Sequence, residues 1–383
     1  GGADRSLERP ATQAAPKPVT KEKNARAATT MDAVTQRLRK AFGDVERNRG
    51  APGPDGKTIA VMRKHQDEWL PALRAALVAG TYEPGNIRRV WIPKAGGGQR
   101  GLGIPNVIDR VVQEAVRLVL EPLYEPTFHR SSHGFRPGRS CHTAIAEAVR
   151  HVDEGHDWVV DLDLEKFFDR VNHQRLMSKL AQRVEDKHLL VLIGRMLKAK
   201  VVLPDGVVVA TEEGVPQGGP LSPLLSNIVL DELDRELDRR GHRFVRYADD
   251  AVFTFRKLEE AQEFRRKLVV RLQSWGISLN ETKTQVLPCG WQTAAHYEHQ
   301  GLEMPGFTFL GFLHVWGKSF NRKKGTWFWR VKRHTCPKRF RKKLAEITSY
   351  IRQHRHKKDL LTCVLRVVRG YLNYFAINDN QKR

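Results

Sequence analysis

The chain reads Arg246-Tyr247-Ala248-Asp249-Asp250 between two apolar runs, Phe244-Val245 and Ala251-Val252-Phe253. Apolar runs on both sides of a short polar stretch predict two strands joined by a tight hairpin. Both carboxylates would lie at the hairpin tip, where oxygen ligands suit Mg²⁺. Asp-Asp is also an ordinary turn dipeptide, because aspartate caps its own backbone. The pattern alone therefore leaves open a turn that binds no metal.

A second acidic strand is predicted upstream, where the residues from Trp158 to Leu164 alternate in polarity. The residues expected to face the core are Val160, Leu162 and Leu164. Those expected on the opposite face are Val159, Asp161 and Asp163. Two metal ions held about 3.5–4 Å apart by such carboxylates can clamp the attacking and leaving oxygens of a phosphoryl displacement. Two acidic strand ends that meet would favour polymerase chemistry, and alternation does not choose between Asp161 and Asp163.

Further motifs follow in a definite order along the chain. They are Pro93-Lys94 with Gly97 to Pro105, His133 to Ser140, Asp163 to Asp169, Gly214 to Pro223 with Asn227 on the helix after it, the Asp249-Asp250 hairpin, Gly276 to Thr284, and Phe307 to Phe312. This order resembles that of the reverse transcriptases encoded by group II introns, and the resemblance runs from about Asn48 to Tyr374.

The resemblance implies an α+β fold: a right-hand polymerase with fingers, a palm sheet of antiparallel strands backed by helices, and a helical thumb. The expected regions are a disordered arm at 1–30, an N-terminal extension and fingers at 31–155, the palm at 156–315, and a basic thumb or partial maturase region at 316–383. Family members normally continue with more thumb helix and often a DNA-binding region, so the thumb is expected to be truncated.

The resemblance also implies a set of catalytic residues. Asp163, Asp249 and Asp250, with the backbone carbonyl of Leu164, are expected to hold two Mg²⁺ ions, for which Mn²⁺ can substitute. The residues expected to bind the deoxynucleotide are Lys94, Arg100, Phe168, Gln217 and Lys283. Those expected to contact template, primer or RNA are Arg136, Gly218, Phe309, Leu310, Gly311, Arg322, Lys323, Lys324 and Arg339.

Each of these residue types also has a plainer interpretation. Asp161 and Asp169 are expected to be hydrogen-bonded turn or cap carboxylates, and Phe167 a core aromatic. The turn at Gly96 to Gly98 with its basic neighbours also fits a solvated hairpin, and Gln217-Gly218-Gly219 also fits a turn that starts a helix. An exposed loop lysine would look the same as a catalytic Lys283. By resemblance, Phe168 excludes a ribose 2′-hydroxyl and Lys283 acts near the leaving pyrophosphate.

The composition indicates a polyanionic partner. The chain has 66 Lys and Arg against 43 Asp and Glu, a formal net charge of +23. A basic run from Lys318 to Lys343 contains no acidic residue and is interleaved with aromatic residues that can stack on bases. We therefore expect an RNA template, a DNA or RNA primer and deoxynucleotides as partners.

The sequence contains no run near the roughly 20 apolar residues that a membrane-spanning helix requires. The four cysteines, Cys141, Cys289, Cys336 and Cys363, lack a Cys-x-x-Cys pair, so we interpret them as reduced thiols rather than zinc ligands. With the resemblance, these features predict a protein of the bacterial cytoplasm without a membrane partner.

The function predicted is RNA-directed DNA polymerase activity, in which a primer 3′-hydroxyl attacks the α-phosphate of a deoxynucleotide, together with binding of intron RNA for splicing and retrohoming. Two alternatives remain at this point. One is a maturase whose main role is splicing assistance without chemistry of its own. The other is a domesticated reverse transcriptase in defence or DNA repair.

Overall fold

The computed structural model describes residues 18–93, 98–165, 167–274, 276–281, 283–303 and 306–377. The helices in this part of the chain are α1 (Pro18–Ala27), α2 (Met31–Arg47), α3 (Ile59–Lys64), α4 (Gln66–Val78), α5 (Val107–Tyr124), α6 (Cys141–Asp153), α7 (His173–Ala181), α8 (Lys187–Leu197), α9 (Ser222–Arg239), α10 (Leu258–Gln273), α11 (Trp291–His299), α12 (Pro337–Gln353) and α13 (Leu360–Phe375). Short 3₁₀ turns lie at Glu125–Thr127 and Phe167–Asp169.

The strands form three sheets. They are β1 (Ile87–Pro93), β2 (Gln99–Ile104), β3 (Trp158–Glu165), β4 (Val201–Val202), β5 (Val208–Val209), β6 (Arg243–Tyr247), β7 (Asp250–Phe255), β8 (Ser278–Leu279), β9 (Gln285–Pro288), β10 (Gly306–Phe309), β11 (Phe312–Asn321) and β12 (Thr326–Thr335). The first sheet has the order β2-β1-β4-β5, the central sheet β6-β7-β3-β8 with β9 also paired to β3, and the third sheet β10-β11-β12. Helices and strands are thus mixed throughout, as expected for an α+β protein.

Helix α2 illustrates how the sequence pattern sets an element. Its apolar residues Val34, Leu38, Phe42 and Val45 recur at helical spacing, and all four are buried in the main core. The side chain of Thr30 caps the start by accepting a hydrogen bond from the Ala33 amide at 3.2 Å. The helix predicted from Met31 onward is confirmed, and it packs against α5.

The prediction of a disordered arm up to residue 30 was wrong for residues 18–27, which form α1. The Glu22 carboxylate accepts hydrogen bonds from Arg26 and from the distant Arg183, both at 3.1 Å. Ala25 packs against the main core, and Thr29 just beyond the helix is buried. Local composition could not reveal the contact with Arg183, because that residue is 161 positions away. Residues 1–17 lie outside the described residues.

The central sheet separates two apolar cores; the alternation along β3 predicted the one that Val160, Leu162 and Leu164 face, but not the second. Val160, Leu162 and Leu164 face the main core, which includes residues of α9 and α10. Val159 faces a second core, which includes residues of α6 and of the third sheet. All strand pairs of this sheet are antiparallel. Helices therefore pack on both faces, and the third sheet joins α6 on the second one.

Residues 316–335, at the start of the region expected to be a basic thumb, form strands rather than helices. That stretch belongs to β11 and β12, which pair along their whole length from Phe312↔Thr335 to Asn321↔Thr326. Strand β11 runs across the expected boundary between residues 315 and 316. Aromatic and β-branched side chains favour strands, and a basic run need not be helical. The amphipathic helices that the sequence predicts over Cys336 to Gln353 and over Leu361 to Phe375 are present as α12 and α13.

Among the described residues, the helices are all too short or too polar to span a lipid bilayer. The four cysteines are free thiols in the structure, and Cys289 is the buried one.

Candidate active site

The Asp249-Asp250 hairpin has the form that the flanking apolar runs predicted. Tyr247 pairs with Asp250 across β6 and β7, so Ala248 and Asp249 form a two-residue turn. Ala248 has a φ of +58°, in the left-handed region that is unusual for a residue with a side chain. On the other side of β7, Asp250 is directly opposite Asp163 of β3. Residues directly opposite in an antiparallel pair have Cβ atoms roughly 4.5–5.5 Å apart, so the two acidic segments meet.

Three carboxyl groups of this site, those of Asp249, Asp250 and Asp161, have pKa values above the ordinary value for aspartate. Burial raises the pKa of Asp249. Burial, together with the charges of Asp249 and Asp163, raises the pKa of Asp250 to about 6. Burial also raises the pKa of Asp161 to about 7, assisted by the charges of Asp250 and Asp163. Burial is the largest cause of each shift, with mutual repulsion second for Asp250 and Asp161, and a bound cation would favour the charged forms.

Asp161 and Asp169, both expected to be turn or cap carboxylates, differ in the structure. Asp161 lies within β3, paired with both β7 and β9, so its interpretation as a turn residue was wrong. Its strand is central, and the sequence alone does not reveal how many neighbours a strand has. Asp169 ends a 3₁₀ turn and accepts a hydrogen bond from Gln217 Nε2 at 3.3 Å, which matches the expectation.

Asp163 has its own basic partner. Lys283 Nζ donates to Asp163 Oδ2 at 2.7 Å, although the lysine side chain is 65% exposed. The Asn280 amide donates to the Asp163 carbonyl at 2.9 Å and ties the end of β3 to the segment that carries Lys283. The structure therefore brings together Asp163 and Lys283, which are 120 positions apart.

The donor set of the site consists of carboxylate oxygens, which are the ligands that Mg²⁺ prefers. In the part of the chain that the structure describes, no three His, Cys, Asp or Glu side chains converge closely enough to hold a metal as they stand. Lys283 forms an ion pair with Asp163 at 2.7 Å in this arrangement. Leu164, whose carbonyl was expected to be a further ligand, directly follows Asp163 in β3. The residue types and their backbone placement fit a divalent cation.

A cavity of about 910 Å³ opens beside the hairpin. Its walls include Arg100, Phe168, Gln217 and Gly218 together with both aspartates of the hairpin. Arg100 Nε donates to Gln217 Oε1 at 2.7 Å, and the Gly103 amide donates to the Gln217 carbonyl at 2.6 Å. Strand β2 is thereby joined to the loop before α9. Three of the residues expected to bind the nucleotide, Arg100, Phe168 and Gln217, thus share one cavity with Gly218, which was expected to contact template, primer or RNA. Lys94 lies outside the described residues.

The loop before α9 requires glycine for a steric reason. Gly218 has a φ of +123°, and a Cβ at this position would overlap the Gly103 carbonyl oxygen. The same turn leads directly into α9, so the interpretation as a helix start also applies.

The aromatic residues Phe167 and Phe168 are both buried, but only one of them reaches the cavity. Both belong to the main core, and Phe168, 8% exposed, also lines the cavity. Their rings meet edge to face, with centroids 5.6 Å apart. Phe167 is therefore the core aromatic that the sequence predicted, and Phe168 is the one placed beside the carboxylates.

The prediction that Arg136 contacts template or RNA was wrong. Its buried guanidinium forms an ion pair with Glu125 at 2.8 Å. It also donates to the carbonyls of His129 and Ser132, both at 2.7 Å. These contacts hold the loop between α5 and α6 together. The nearby glycines and a basic residue made the motif resemble a binding loop, and only the fold reveals that the charge is neutralised internally.

The turn Phe309-Leu310-Gly311 joins the third sheet to the C-terminal helices. The Tyr374 hydroxyl donates to the Leu310 carbonyl at 2.8 Å, and the Cys336 amide donates to the Gly311 carbonyl at 2.9 Å. Phe309 is buried in the second core, so its side chain is not available to nucleic acid and that part of the prediction was wrong.

The remaining residues expected to bind nucleic acid lie elsewhere on the surface. Arg339 is in the first turn of α12, with its guanidinium packed against Gly311. Arg322, Lys323 and Lys324 lie in the turn between β11 and β12, where the Asn321 side chain accepts from the amides of both lysines.

Three neighbours of the site, Phe135, Tyr247 and Arg246, carried no predicted role. Phe135 and Tyr247 line the cavity, with ring centroids 6.3 Å apart. Arg246 is buried under the hairpin. A signal for Arg246 was present in the sequence, because it shares a strand face with Phe244, which lies in the main core.

Comparison with known proteins places these features in a family. Residues 92–314 match the family described as "Reverse transcriptase (RNA-dependent DNA polymerase)". The chain is 42% identical over 193 residues to "Protein YkfC" of Escherichia coli (strain K12), an alignment covering 49% of this chain and 50% of that protein. It is 39% identical over 187 residues to "Group II intron-encoded protein LtrA" of Lactococcus lactis subsp. cremoris, covering 49% of this chain and 31% of that protein.

The chain thus spans half or less of the length of these curated relatives. A solved structure, "Partial Cas6-RT-Cas1–Cas2 complex", aligns with a TM-score of 0.41 at 24% identity, covering 64% of this chain and 41% of that one. The similarity to that structure is too low to support a conclusion.

Proposed function

The chain belongs to the reverse transcriptase family, and on that premise we propose that it is an RNA-directed DNA polymerase of the group II intron type. The observation that carries the proposal is the pairing of Asp163 with Asp250 beside the Asp249 turn, at the wall of a cavity of about 910 Å³. A nucleotide in that cavity would lie against Arg100 and Phe168 and within reach of the carboxylates.

In this proposal Asp163, Asp249 and Asp250, with the Leu164 carbonyl, hold two divalent cations. Bound Mg²⁺ would supply neutralisation of the charge that develops on the attacking and leaving oxygens. The bond that forms joins the primer 3′-oxygen, whose proton passes to solvent, to the α-phosphorus. The bond that breaks is the one between the α-phosphorus and the bridging oxygen, and pyrophosphate leaves with its electron pair. Positioning of the reactants and neutralisation of charge account for most of the acceleration of such a reaction.

Basic side chains orient the triphosphate in this proposal. Arg100 is held in place by Gln217 through its Nε, so its terminal N–H groups can meet phosphate oxygens. Lys94 would assist from the adjacent turn, as the resemblance implies. Lys283 would leave its ion pair with Asp163 and contact the departing pyrophosphate instead. It would then donate a proton to the pyrophosphate.

The third sheet and α12 provide the surface for nucleic acid in this proposal. The aromatic residues Phe320, Trp327 and Phe328 are exposed on β11 and β12, next to the basic turn at Arg322 to Lys324. A net charge of +23 favours RNA as partner. We therefore infer that the protein binds its template, a primer and intron RNA, and assists splicing. The intron-encoded relative does not favour a domesticated role in defence or DNA repair.

The proposal is tested by primer extension on an RNA template with Mg²⁺, comparing the wild type with Asp249→Asn. Loss of one ligand carboxylate should reduce extension by at least about 100-fold, because charge in the transition state is left without neutralisation. Asp67→Asn, an exposed aspartate in the first turn of α4, is the matched control and should extend normally. Equal activity of Asp249→Asn and the control would contradict the assignment.

RNA binding provides a separate measurement. The RNA surface is distinct from the carboxylates. We therefore expect Asp249→Asn to bind intron RNA with wild-type affinity and to support splicing as the wild type does. The same variant should fail to extend a primer. Parallel loss of both activities would show that the two roles are not separable. No extension by the wild type under any condition would leave only the RNA-binding role.

A further inference from the structure

We propose that Arg246 is a positioning residue that holds the Asp249 turn in its working conformation and thereby sets the cation affinity and turnover of the site. The inference rests on the proposed function, since it concerns the same carboxylates. It concerns a side chain that lies beneath the hairpin rather than in the cavity.

All five N–H groups of the Arg246 guanidinium are used. Nε donates to Asp234 Oδ1 at 2.8 Å, and Nη2 donates to Asp234 Oδ2 at 2.5 Å. Nη2 also donates to Ser132 Oγ at 2.7 Å, and Nη1 donates to Asn227 Oδ1 at 3.0 Å. The last donor reaches the Ala248 carbonyl at 2.9 Å. The guanidinium thus ties the turn to α9 and to the loop between α5 and α6.

The contact with Ala248 is the one that matters for the site. Ala248 adopts a φ of +58°, a left-handed conformation that is unfavourable for a residue with a side chain. A backbone in such a conformation persists only where its surroundings hold it there. The hydrogen bond from Arg246 fixes the Ala248 carbonyl, which precedes the Asp249 amide. The orientation of the Asp249 carboxylate therefore depends on this contact.

The turn is also supported from its other side. The backbone of Gly134 lies so close that a Cβ there would overlap the Ala248 nitrogen. The Gly134 carbonyl accepts a hydrogen bond from Asn227 Nδ2 at 2.9 Å, and Asn227 in turn accepts from Arg246. The backbone of Arg246 joins the same assembly, since its amide donates to Ser131 and its carbonyl accepts from His133, both at 2.8 Å. One connected network thus clamps the turn between a side chain and a glycine.

Stability alone does not account for this network. The side chains of Arg246 and Asp234 are 3% and 1% exposed, and a buried ion pair is often no more stabilising than apolar residues of the same volume. A planar guanidinium, however, satisfies four partners at fixed directions, which neither an apolar side chain nor lysine can do. The geometry therefore points to specification of one turn conformation.

The test compares Arg246→Lys with the wild type. Lysine keeps the charge opposite Asp234 but cannot reach Asn227, Ser132 and Ala248 together. Groups that orient metal ligands typically contribute about 10–100-fold to metal affinity or activity. We expect Mn²⁺ binding, measured by electron paramagnetic resonance on the protein without nucleic acid, to weaken by that factor. We also expect kcat for primer extension to fall by a similar factor, with little change in KM for the deoxynucleotide.

A second variant keeps the proposal testable if Arg246→Lys does not fold. Gly134→Ala leaves the guanidinium and its partners chemically intact but pushes on the Ala248 nitrogen from the opposite side. It should reproduce the weaker Mn²⁺ binding. Arg117→Lys is the control, because Arg117 also donates to carboxylates, those of Glu114 and Glu121 on α5, without contacting the hairpin. It should leave both Mn²⁺ binding and kcat unchanged.

Thermal unfolding of each variant distinguishes positioning from simple stabilisation. The proposal is overturned if Arg246→Lys lowers the melting temperature while Mn²⁺ binding and kcat stay within about twofold of the wild type. It is also overturned if the Arg117→Lys control weakens Mn²⁺ binding equally. A wild-type protein that binds Mn²⁺ but extends no primer would refute the proposed function, and the comparison of Mn²⁺ affinities would still decide the role of Arg246.

Discussion

Phe168 lines the cavity together with Asp249 and Asp250. Its ring is almost fully buried and belongs to the main core, as does that of its neighbour Phe167, but Phe167 does not line the cavity. The two adjacent phenylalanines therefore differ in their access to a ligand in the cavity. A ring at a cavity wall occupies space that a substituent of the ligand would otherwise fill. We therefore expect Phe168 to affect which sugar a bound nucleotide can carry.

Replacement of Phe168 by Val should open space for a 2′-hydroxyl. We expect the ratio of kcat/KM for ribonucleotides to that for deoxynucleotides to rise by roughly 10–100-fold, the range that shape exclusion in a pocket provides. Primer extension with each nucleotide in turn measures the ratio, which is independent of the fraction of folded enzyme. Phe264→Leu, in the main core and away from the cavity walls, should leave it unchanged. An unaltered ratio in Phe168→Val would remove this residue from sugar selection.

At the scale of elements, the ribbon formed by β11 and β12 stands out by its exposed aromatic side chains. Phe320 is paired with Trp327 across the strands, with ring centroids 5.3 Å apart, and Trp327 is 67% exposed. Lys318 Nζ lies 5.1 Å from the ring centroid of its partner Trp329. Basic and aromatic groups thus alternate on a rigid antiparallel scaffold, which is the combination that stacks bases and neutralises phosphates.

The turn at the end of this ribbon should contribute electrostatically to RNA binding. We expect the combined Arg322→Gln, Lys323→Gln and Lys324→Gln variant to bind single-stranded RNA more weakly. The slope of log affinity against log salt should become shallower by about 0.7 for each phosphate that the variant no longer neutralises. Filter binding over a salt series measures both quantities. The control replaces three basic residues of α10, Arg265, Arg266 and Lys267, by Gln. Identical salt slopes for the two triple variants would argue against a specific RNA surface.

At the scale of the whole molecule, buried histidines make the stability of the fold depend on pH. Burial lowers the pKa of His314, on β11 in the third sheet, to about 4, and burial lowers the pKa of His151 on α6 to about 4 as well. Both histidines are almost completely inaccessible to solvent. An unfolded chain protonates them near pH 6.5. Each therefore contributes stability that is complete above pH 6.5 and is lost as the pH falls towards about 4.

The free energy of unfolding should thus depend on pH through His314 in particular. We expect His314→Gln to lose less stability than the wild type between pH 7.5 and pH 5, because its side chain does not titrate. The difference approaches roughly 3 kcal/mol only near pH 4. Urea unfolding at several pH values measures the slope. His356→Gln, at an exposed position, should follow the wild type, and a His314→Gln slope equal to that of the wild type would show that this histidine is not responsible.

Periodic elements were predictable from the sequence because their signals are local. The spacing of Val34, Leu38 and Phe42 predicted α2, and alternation along β3 placed Val160 and Asp163 on opposite faces. The hairpin at Ala248-Asp249 followed from the apolar runs beside it. In each case the side chains on one face of the element recur along the sequence, about every 3.6 residues in a helix and every 2 residues in a strand. The buried face can therefore be identified from the sequence.

Other features were not predictable because they depend on contacts between distant residues. The burial of Arg136 depends on Glu125 and on carbonyls of its own loop, and the order of α1 depends on Arg183. The ribbon was not predicted, because a basic, aromatic stretch carries little periodicity until a partner strand sets its register. The role of Arg246 depends on three elements that meet only in the folded chain.

The sequence by itself determined the family, the order of motifs and the pair of acidic segments, since these are properties of residue identity and spacing. The tertiary structure alone decided that Asp163 is opposite Asp250, that Lys283 neutralises Asp163, and that a buried guanidinium supports the turn at Ala248. The physical reason is that charge interactions and hydrogen bonds act over a few ångströms. Residues far apart along the chain reach that range only when strands and helices pack into one molecule.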